Sequence, residues 1–143
     1  MKTTVINVRG KRREELEGDP NFVYVGRTVP RTEWKNLGWG NPFKEGQDPG
    51  RAMKDLMPFV RAAEQSLSIA IEGALTAEKA VEFYGHYVKA LWILFPEWRE
   101  RAGALRGKKL GCWCCDWPGE GEPSAPCHAV VLARLVDSLG GEA

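Results

Sequence analysis

The sequence predicts a small α/β protein in which helices pack on an open sheet, in a Rossmann-like arrangement of two or three layers. Three observations support this prediction: short β-branched runs near residues 5 and 22, another short run near residue 110, and stretches of helical apolar spacing between and after them. A chain of 143 residues has the usual size of one domain, so residues 1–143 are expected to form a single α/β domain.

The first two strands are predicted from β-branched and aromatic residues. Val5–Val8 forms the first run, and the charged stretch 11–15 that follows is expected to be a solvated loop. Phe22–Val25 repeats the pattern after the turn residues 18–21. Each run is followed directly by an arginine and a glycine, which are Arg9 with Gly10 and Gly26 with Arg27.

Residues 30–50 are rich in glycine, proline and asparagine, and large apolar side chains are interleaved among them. This pattern favours an ordered functional loop over a flexible linker. These apolar side chains are Trp34, Leu37, Trp39 and Phe43, and the aromatic ones are expected to hold the loop in place by packing.

Two helices are predicted in the middle of the chain, over residues 51–72 and 76–95, because their apolar residues recur at helical spacing. Pro58 is expected to kink or split the first helix. Thr76 is expected to cap the N-terminus of the second helix. The apolar stripe of the second helix is predicted to be core and consists of Val81, Tyr84, Val88, Leu91 and Trp92.

The C-terminal part is predicted to contain a short helix over 97–104, a third strand over 109–114 and a last helix with Pro126 in its first turn. Connections between strands and helices gather at the carboxyl edge of such a sheet, where ligand sites of these folds lie. We therefore expect the strand ends, the Gly-Asn-Pro-Phe block at 40–43 and the Cys-His turn at 127–128 to meet there.

Composition and charge limit the classes of partner. The 20 basic and 19 acidic residues give a net charge of +1, so no overall field draws the chain to a polyanion. Nucleic acid is an expected partner only through a local basic patch, formed by Arg9, Lys11, Arg12 and Arg13. The sequence shows neither an export signal nor an apolar run of membrane-spanning length, and we expect a cytoplasmic protein with no membrane partner.

Four cysteines, Cys112, Cys114, Cys115 and Cys127, fall within sixteen positions, and His128 follows the last of them. Three thiols and an imidazole match a Cys₃His zinc site in ligand type, so zinc is one interpretation. The single residue between Cys112 and Cys114 and the adjacency of Cys127 and His128 are awkward for a tetrahedral site. We therefore expect a metal-free pocket in which Cys114, Cys127 and His128 are the catalytic residues, with a thiolate as nucleophile and the imidazole as base.

Polar residues at the strand ends and in the loop are the candidate ligand-binding residues. Arginine holds phosphate or carboxylate through two parallel hydrogen bonds, glycine permits close approach of the backbone, and asparagine both donates and accepts. These properties predict a small anionic ligand or a nucleotide. The predicted binding residues are Asn7, Arg9, Arg27, Gly40 and Asn41.

The combination of an Asn-Val-Arg start, a Gly-Asn-Pro-Phe block and a Cys-Trp-Cys…Cys-His arrangement resembles a small uncharacterised domain family encoded by bacteriophages and bacteria. The resemblance covers nearly the whole chain and implies site positions without implying a reaction. Cys115 and the long stretch 116–126 depart from the family pattern. The implied positions are Asn7, Arg9, Gly26, Arg27, Gly40, Asn41, Pro42, Phe43, Cys112, Cys114, Cys127 and His128.

Two hypotheses about function follow. The first is an α/β enzyme or ligand-binding domain that acts on a nucleotide, a nucleobase or another phosphorylated small molecule, related to phage or DNA metabolism. The second is a zinc-stabilised module that binds nucleic acid or a partner protein. The sequence predicts neither the reaction nor the oligomeric state.

Overall fold

The computed structural model describes residues 2–65 and 73–139. The chain forms two compact units, of which the first comprises Met1–Gly40 with Ala102–Ala143 and the second comprises Asn41–Arg101. The chain combines helices with a small parallel sheet of three strands, which confirms the predicted α/β class. Among the described residues, no helix combines the length and the apolar character needed to cross a bilayer.

The first unit contains the sheet. Its strands are β1 (Thr4–Asn7), β2 (Phe22–Tyr24) and β3 (Lys109–Cys112), arranged in the order β1-β3-β2. Both pairings are parallel, with Asn7 opposite Cys112 and Tyr24 opposite Gly111. The carboxyl ends of all three strands therefore lie at one edge of the sheet, as the sequence predicts.

Two helices belong to the same unit. The helix α5 (His128–Leu139) packs against β1 and β3. The helix α1 (Arg13–Glu17) packs against β2, and its presence shows that the expected charged loop was partly wrong. Glu14 and Glu15 lie in the first turn of α1, where the helix dipole favours negative charge. The charged stretch that was expected to be a solvated loop therefore contains the short helix α1.

Glycine has a clear steric role in the central strand β3. A Cβ atom added at Gly111 would lie 2.5 Å from Cζ of Phe22, so the phenyl ring occupies the space of the missing side chain. The same ring stacks on Trp34 with a centroid distance of 6.0 Å. Gly111 thus allows an aromatic layer to lie directly on the sheet.

The second unit is helical. It contains α2 (Pro49–Ala62), α3 (Ala77–Leu94) and most of α4 (Pro96–Gly103). The side chain of Thr76 accepts a hydrogen bond from the Lys79 amide, which confirms the predicted N-cap of α3. The helix α2 continues through Pro58, so the proline does not split it. Residues 66–72 of the predicted first helix lie outside the described residues.

The core of the second unit forms where α2 and α3 pack together with Phe43. The rings of Phe43 and Phe83 meet edge to face at 5.4 Å. Of the predicted stripe on α3, three side chains are buried, while Val81 and Trp92 are half-buried. The three buried members are Tyr84, Val88 and Leu91.

The three aromatic side chains expected to anchor the loop, Trp34, Trp39 and Phe43, are all buried. Leu37, which lies between Trp34 and Trp39 in the chain, is 57% exposed. Residues on both sides of Leu37 turn the chain, because the Asn36 side chain accepts hydrogen bonds from the amides of Gly38 and Gly40. This turn leaves the leucine at the surface.

Candidate functional site

The candidate site lies at the carboxyl edge of the sheet, where hydrogen bonds hold the segments that follow the strands. The Val8 amide donates to the Cys112 carbonyl at 2.8 Å, and the Val25 amide donates to the Gly111 carbonyl at 2.9 Å. The Asn7 amide donates to Oδ1 of Asp116 at 2.8 Å. The segments after β1, β2 and β3 are therefore held next to one another.

A cluster of three thiols lies at this edge. The Sγ atoms of Cys112, Cys114 and Cys127 all lie within 4.8 Å of one another, and those of Cys112 and Cys127 are 3.4 Å apart. Cys112 and Cys127 are buried, whereas Cys114 is exposed. All four cysteines of the chain are free thiols. We call the three side chains the thiol cluster.

Hydrogen bonds within the thiol cluster set its protonation. Hydrogen bonds with Cys114 and Cys127 lower the pKa of Cys112 to about 2. The same hydrogen bonds raise the pKa of Cys114 to about 11 and raise the pKa of Cys127 as well. Hydrogen bonding within the cluster therefore favours ionisation at Cys112 over ionisation at Cys114 or Cys127.

Cys112 is a site residue that the sequence-based selection of catalytic residues left out. The sequence allows it to be a core residue, because it lies between Gly111 and Trp113 in a strand. The available signal was the Cys-Trp-Cys spacing: Cys112 ends β3 and Cys114 lies just beyond it, so both thiols reach the same edge. The tertiary contact with Cys127 completes the group.

His128 is buried at the first position of α5 and contacts the end of β2. Its Nε2 lies 2.9 Å from the carbonyl oxygen of Val25, and because that oxygen only accepts, Nε2 carries the hydrogen. Burial lowers the pKa of His128, which favours the neutral imidazole. His128 does not belong to the thiol cluster of the described residues, and its role as a base stays a prediction.

Arg27 places a positive charge beside the cluster. Burial lowers the pKa of the half-buried Arg27 guanidinium. The negative charge of an ionised Cys114 raises this pKa, so the two groups lie within electrostatic range. The backbone at this point is fixed by Tyr24, whose hydroxyl donates to the Arg27 carbonyl oxygen. The Tyr24 ring also fills the space where a side chain at Gly26 would lie. The predicted strand-end arginine is thus brought to the cysteines.

A basic pocket of about 380 Å³ lies in the first unit, and its lining includes Trp113, the residue between Cys112 and Cys114 in the chain. Residues after β1 line it together with the loop after β2 and with Trp113 after β3. Arg31 has a φ of 65°, which is an uncommon and strained backbone conformation for a residue other than glycine. The lining residues are Gly10, Lys11, Arg12, Arg31, Thr32, Glu33, Trp34 and Trp113.

An aromatic pocket of about 290 Å³ adjoins the basic pocket, since Glu33 and Trp34 line both. The Trp34 indole is held by a hydrogen bond from its Nε1 to the Lys11 carbonyl at 3.3 Å. It also packs against the Tyr24 ring at 4.9 Å. The remaining lining residues of the aromatic pocket are Arg13, Phe22, Val23, Tyr24, Lys35 and Leu37.

Two of the predicted binding residues shape the segment after β1. The Arg9 guanidinium carbon lies 5.3 Å from the centre of the Trp113 ring, in a cation–π contact. The side chain of Asn7 accepts a hydrogen bond from the Arg9 amide and so forms the turn. Arg9 therefore remains exposed beside the basic pocket residue Trp113, while Asn7 holds the backbone.

The other two predicted binding residues begin the Gly-Asn-Pro-Phe block. Gly40 donates to the side chain of Asn36, and a Cβ atom there would lie 2.7 Å from its Nδ2. Asn41 belongs to the second unit, is buried, and uses its amide to donate to the Ala80 carbonyl and to accept from the Phe43 amide. Their role in ligand binding stays a prediction.

Comparison with known proteins adds one finding. The family model described as a domain of unknown function, DUF4326, matches residues 8–138, which is most of the chain. No curated protein and no solved structure matches the chain. The matched range includes β2, β3, the segment directly after β1, the residues that line both pockets and the thiol cluster.

Proposed function

The chain belongs to the DUF4326 family, and we propose that it binds a small phosphorylated ligand, a nucleotide or a close chemical relative, at the carboxyl edge of its sheet. The observation that carries the proposal is the pair of adjoining pockets that share Glu33 and Trp34. One pocket is basic and the other is aromatic. A nucleotide has the same two parts, an anionic phosphate and a flat base.

The basic pocket suits the phosphate. Lys11, Arg12 and Arg31 line it with three positive charges against the single carboxylate of Glu33. Arginine binds phosphate oxygens through two parallel N–H groups, and Gly10 allows the backbone to approach closely. Arg9 lies next to this pocket through its contact with Trp113 and adds a fourth positive charge at its rim.

The aromatic pocket suits the base. Phe22, Tyr24 and Trp34 supply flat faces on which a base can stack, and such stacking contributes about 1–3 kcal/mol per base. Glu33, on the wall that the two pockets share, can accept hydrogen bonds from sugar hydroxyls or from base N–H groups. Both pocket volumes are close to the lower end of those usual for small-molecule sites.

The thiol cluster lies at the same edge of the sheet, with Trp113 of the basic pocket between Cys112 and Cys114 in the chain. Our proposal keeps Cys114, Cys127 and His128 as the candidate groups for a reaction on the bound ligand. A nucleic acid is the second candidate ligand, because the exposed Lys11 and Arg12 extend the positive charge at the pocket mouth.

Isothermal titration with inorganic phosphate, a nucleoside, a nucleoside monophosphate and a short single-stranded DNA tests this proposal. We expect the monophosphate to bind more tightly than either phosphate or the nucleoside, because only it fills both pockets. Binding of the DNA alone would favour the second candidate, and absence of binding by all four probes would refute the proposal.

Arg31→Gly is the informative variant. Glycine relieves the strain of the positive φ, worth about 1–2 kcal/mol, while it adds a comparable backbone entropy cost of roughly 0.5–1 kcal/mol. We therefore expect an unchanged fold and at least tenfold weaker binding of the monophosphate. Arg61→Ala, an exposed arginine in the last turn of α2, is the matched control and should bind normally.

A further inference from the structure

We propose that Cys112, Cys114 and Cys127 together bind one zinc ion as a three-thiolate site. Ligand binding in the two pockets does not depend on this inference, because none of the three cysteines lines either pocket. With zinc bound, Cys114 and Cys127 would act as metal ligands instead of reacting groups. The proposed site also differs from the Cys₃His interpretation, since the ligand atoms that converge are the three sulfurs and the His128 imidazole is not among them.

The distances fit a metal of this kind. Zinc lies about 2.3 Å from each thiolate sulfur, so the sulfurs of a tetrahedral site are about 3.8 Å apart. The Cys112 and Cys127 sulfurs are 3.4 Å apart, and all three sulfurs lie within 4.8 Å of one another. A small adjustment of the exposed Cys114 brings its sulfur to the same distance from a common centre.

The arrangement is better explained by a metal than by packing or by a disulfide. A disulfide joins two sulfurs and leaves the third without a function, whereas three convergent thiols surround one point. A core cysteine is buried among apolar groups, but Cys114 is exposed and still turns its sulfur to the two buried ones. Convergence of exposed and buried thiols is typical of a ligand set.

The local charge supports the same conclusion. Three thiolates and one Zn²⁺ leave a net charge of −1, and the Arg27 guanidinium lies within electrostatic range of Cys114. Without a metal, the three neighbouring thiols would not all ionise together, because like charges at this distance repel. Zinc would let all three do so, and Arg27 would balance the remaining charge.

Zinc would also connect distant parts of the first unit. Cys112 ends β3, and Cys127 immediately precedes the first residue of α5. One ion bound to both would close the segment 113–126 into a loop and fix the start of α5 on the sheet. Three protein ligands leave the fourth position for water or another small ligand, as in catalytic zinc sites.

The test uses the full chain, purified without a histidine tag and without chelator. Mass spectrometry of the metal content should find about one zinc per chain. Cobalt added to the metal-depleted protein should give the charge-transfer and visible bands of a tetrahedral thiolate site. Zinc at trace level, together with no cobalt bands in the reduced protein, would overturn the proposal.

Variants identify the ligands. Cys114→Ser changes an exposed residue, so we expect the protein to fold and its zinc affinity to fall by about 100-fold or more, beyond the 10–100-fold cost of altering a group that only supports a ligand. Cys114→His, which supplies another zinc ligand, should recover part of this loss. If Cys114 had only a packing role, Cys114→His would not recover zinc binding.

Cys115→Ser is the matched control, because Cys115 is a neighbouring cysteine outside the thiol cluster. We expect it to keep zinc at the wild-type stoichiometry. Equal loss of zinc from Cys115→Ser and Cys114→Ser, or full retention by Cys114→Ser, would refute the three-thiolate site. Binding of the nucleoside monophosphate by the same variants is measured in parallel, so failure of either proposal is recognised separately.

Discussion

Nε2 of His128 donates a hydrogen bond of 2.9 Å to the carbonyl oxygen of Val25, and so joins the first residue of α5 to the end of β2. Both residues are buried, and 102 residues separate them in the chain. A buried carbonyl without its donor is costly. The contact therefore stabilises the edge of the sheet at which the thiols and pockets lie.

Replacing His128 by alanine is expected to lower the free energy of unfolding by about 1–3 kcal/mol, because it leaves the Val25 carbonyl without this donor. Urea denaturation followed by circular dichroism measures the loss. His86→Ala, at a half-buried histidine on α3, is the control and should cost less. Equal stability of His128→Ala and wild type would show that the hydrogen bond contributes nothing.

Gly111→Ala is expected to destabilise the protein by about 1–3 kcal/mol, because the new methyl group would lie 2.5 Å from the Phe22 ring. Thermal and urea unfolding measure the effect. A second change, Phe22→Leu, should recover part of the loss in the double variant. Gly18→Ala is the control, since no atom lies within 4 Å of the added methyl group and the backbone φ of −69° suits alanine.

Leu91 and Ile93 form a matched pair on α3. Leu91 is 8% exposed and Ile93 is 45% exposed. Leu91→Ala is expected to cost about 2–5 kcal/mol through lost contacts and a cavity, whereas Ile93→Ala should cost well under half as much. Denaturant midpoints of the two variants check this. Similar midpoints would mean that the buried stripe of α3 does not form the core.

The free energy of unfolding should decrease at alkaline pH because Tyr24 ionises in the unfolded chain. Burial raises the pKa of Tyr24 from the ordinary value of 10.0 to about 12. Below pH 10 the phenol is protonated in both the folded and the unfolded chain, so the full contribution of Tyr24 to the free energy of unfolding is present. Between pH 10 and about 12 only the unfolded chain loses this proton, so the free energy of unfolding decreases as the pH rises.

Tyr24→Phe is the control for this titration. The variant lacks the phenol and its hydrogen bond to the Arg27 carbonyl, so it should be less stable than wild type at pH 8. The difference between the two proteins should shrink from pH 10 to pH 12, measured by urea unfolding at each pH. A difference that stays constant over this range would contradict the burial of the Tyr24 hydroxyl.

Local sequence patterns determined the element order of the described residues. β-branched runs predicted β1 and β2 because such side chains suit a pleated surface, and helical spacing with a capping threonine predicted α3 to within a residue at each end. The charged stretch 11–15 has no apolar stripe, so its pattern predicts a loop. The short helix α1 forms there because it packs against β2. Sequence patterns indicate the local preferences of a segment, but they do not indicate contacts between distant segments such as α1 and β2.

The candidate site likewise combines features that the sequence shows with features that only the fold creates. The sequence by itself identified Cys114, Cys127, Arg9 and Arg27 as residues of interest, because their types and their positions after strands are visible in one dimension. Only the tertiary structure decided that Cys112 joins the thiols and that the His128 Nε2 contacts the Val25 carbonyl. It also formed the two pockets around Trp34, from segments far apart in the chain. Distances between such segments depend on parallel pairing with β3 and on the packing of α5, which no local pattern encodes.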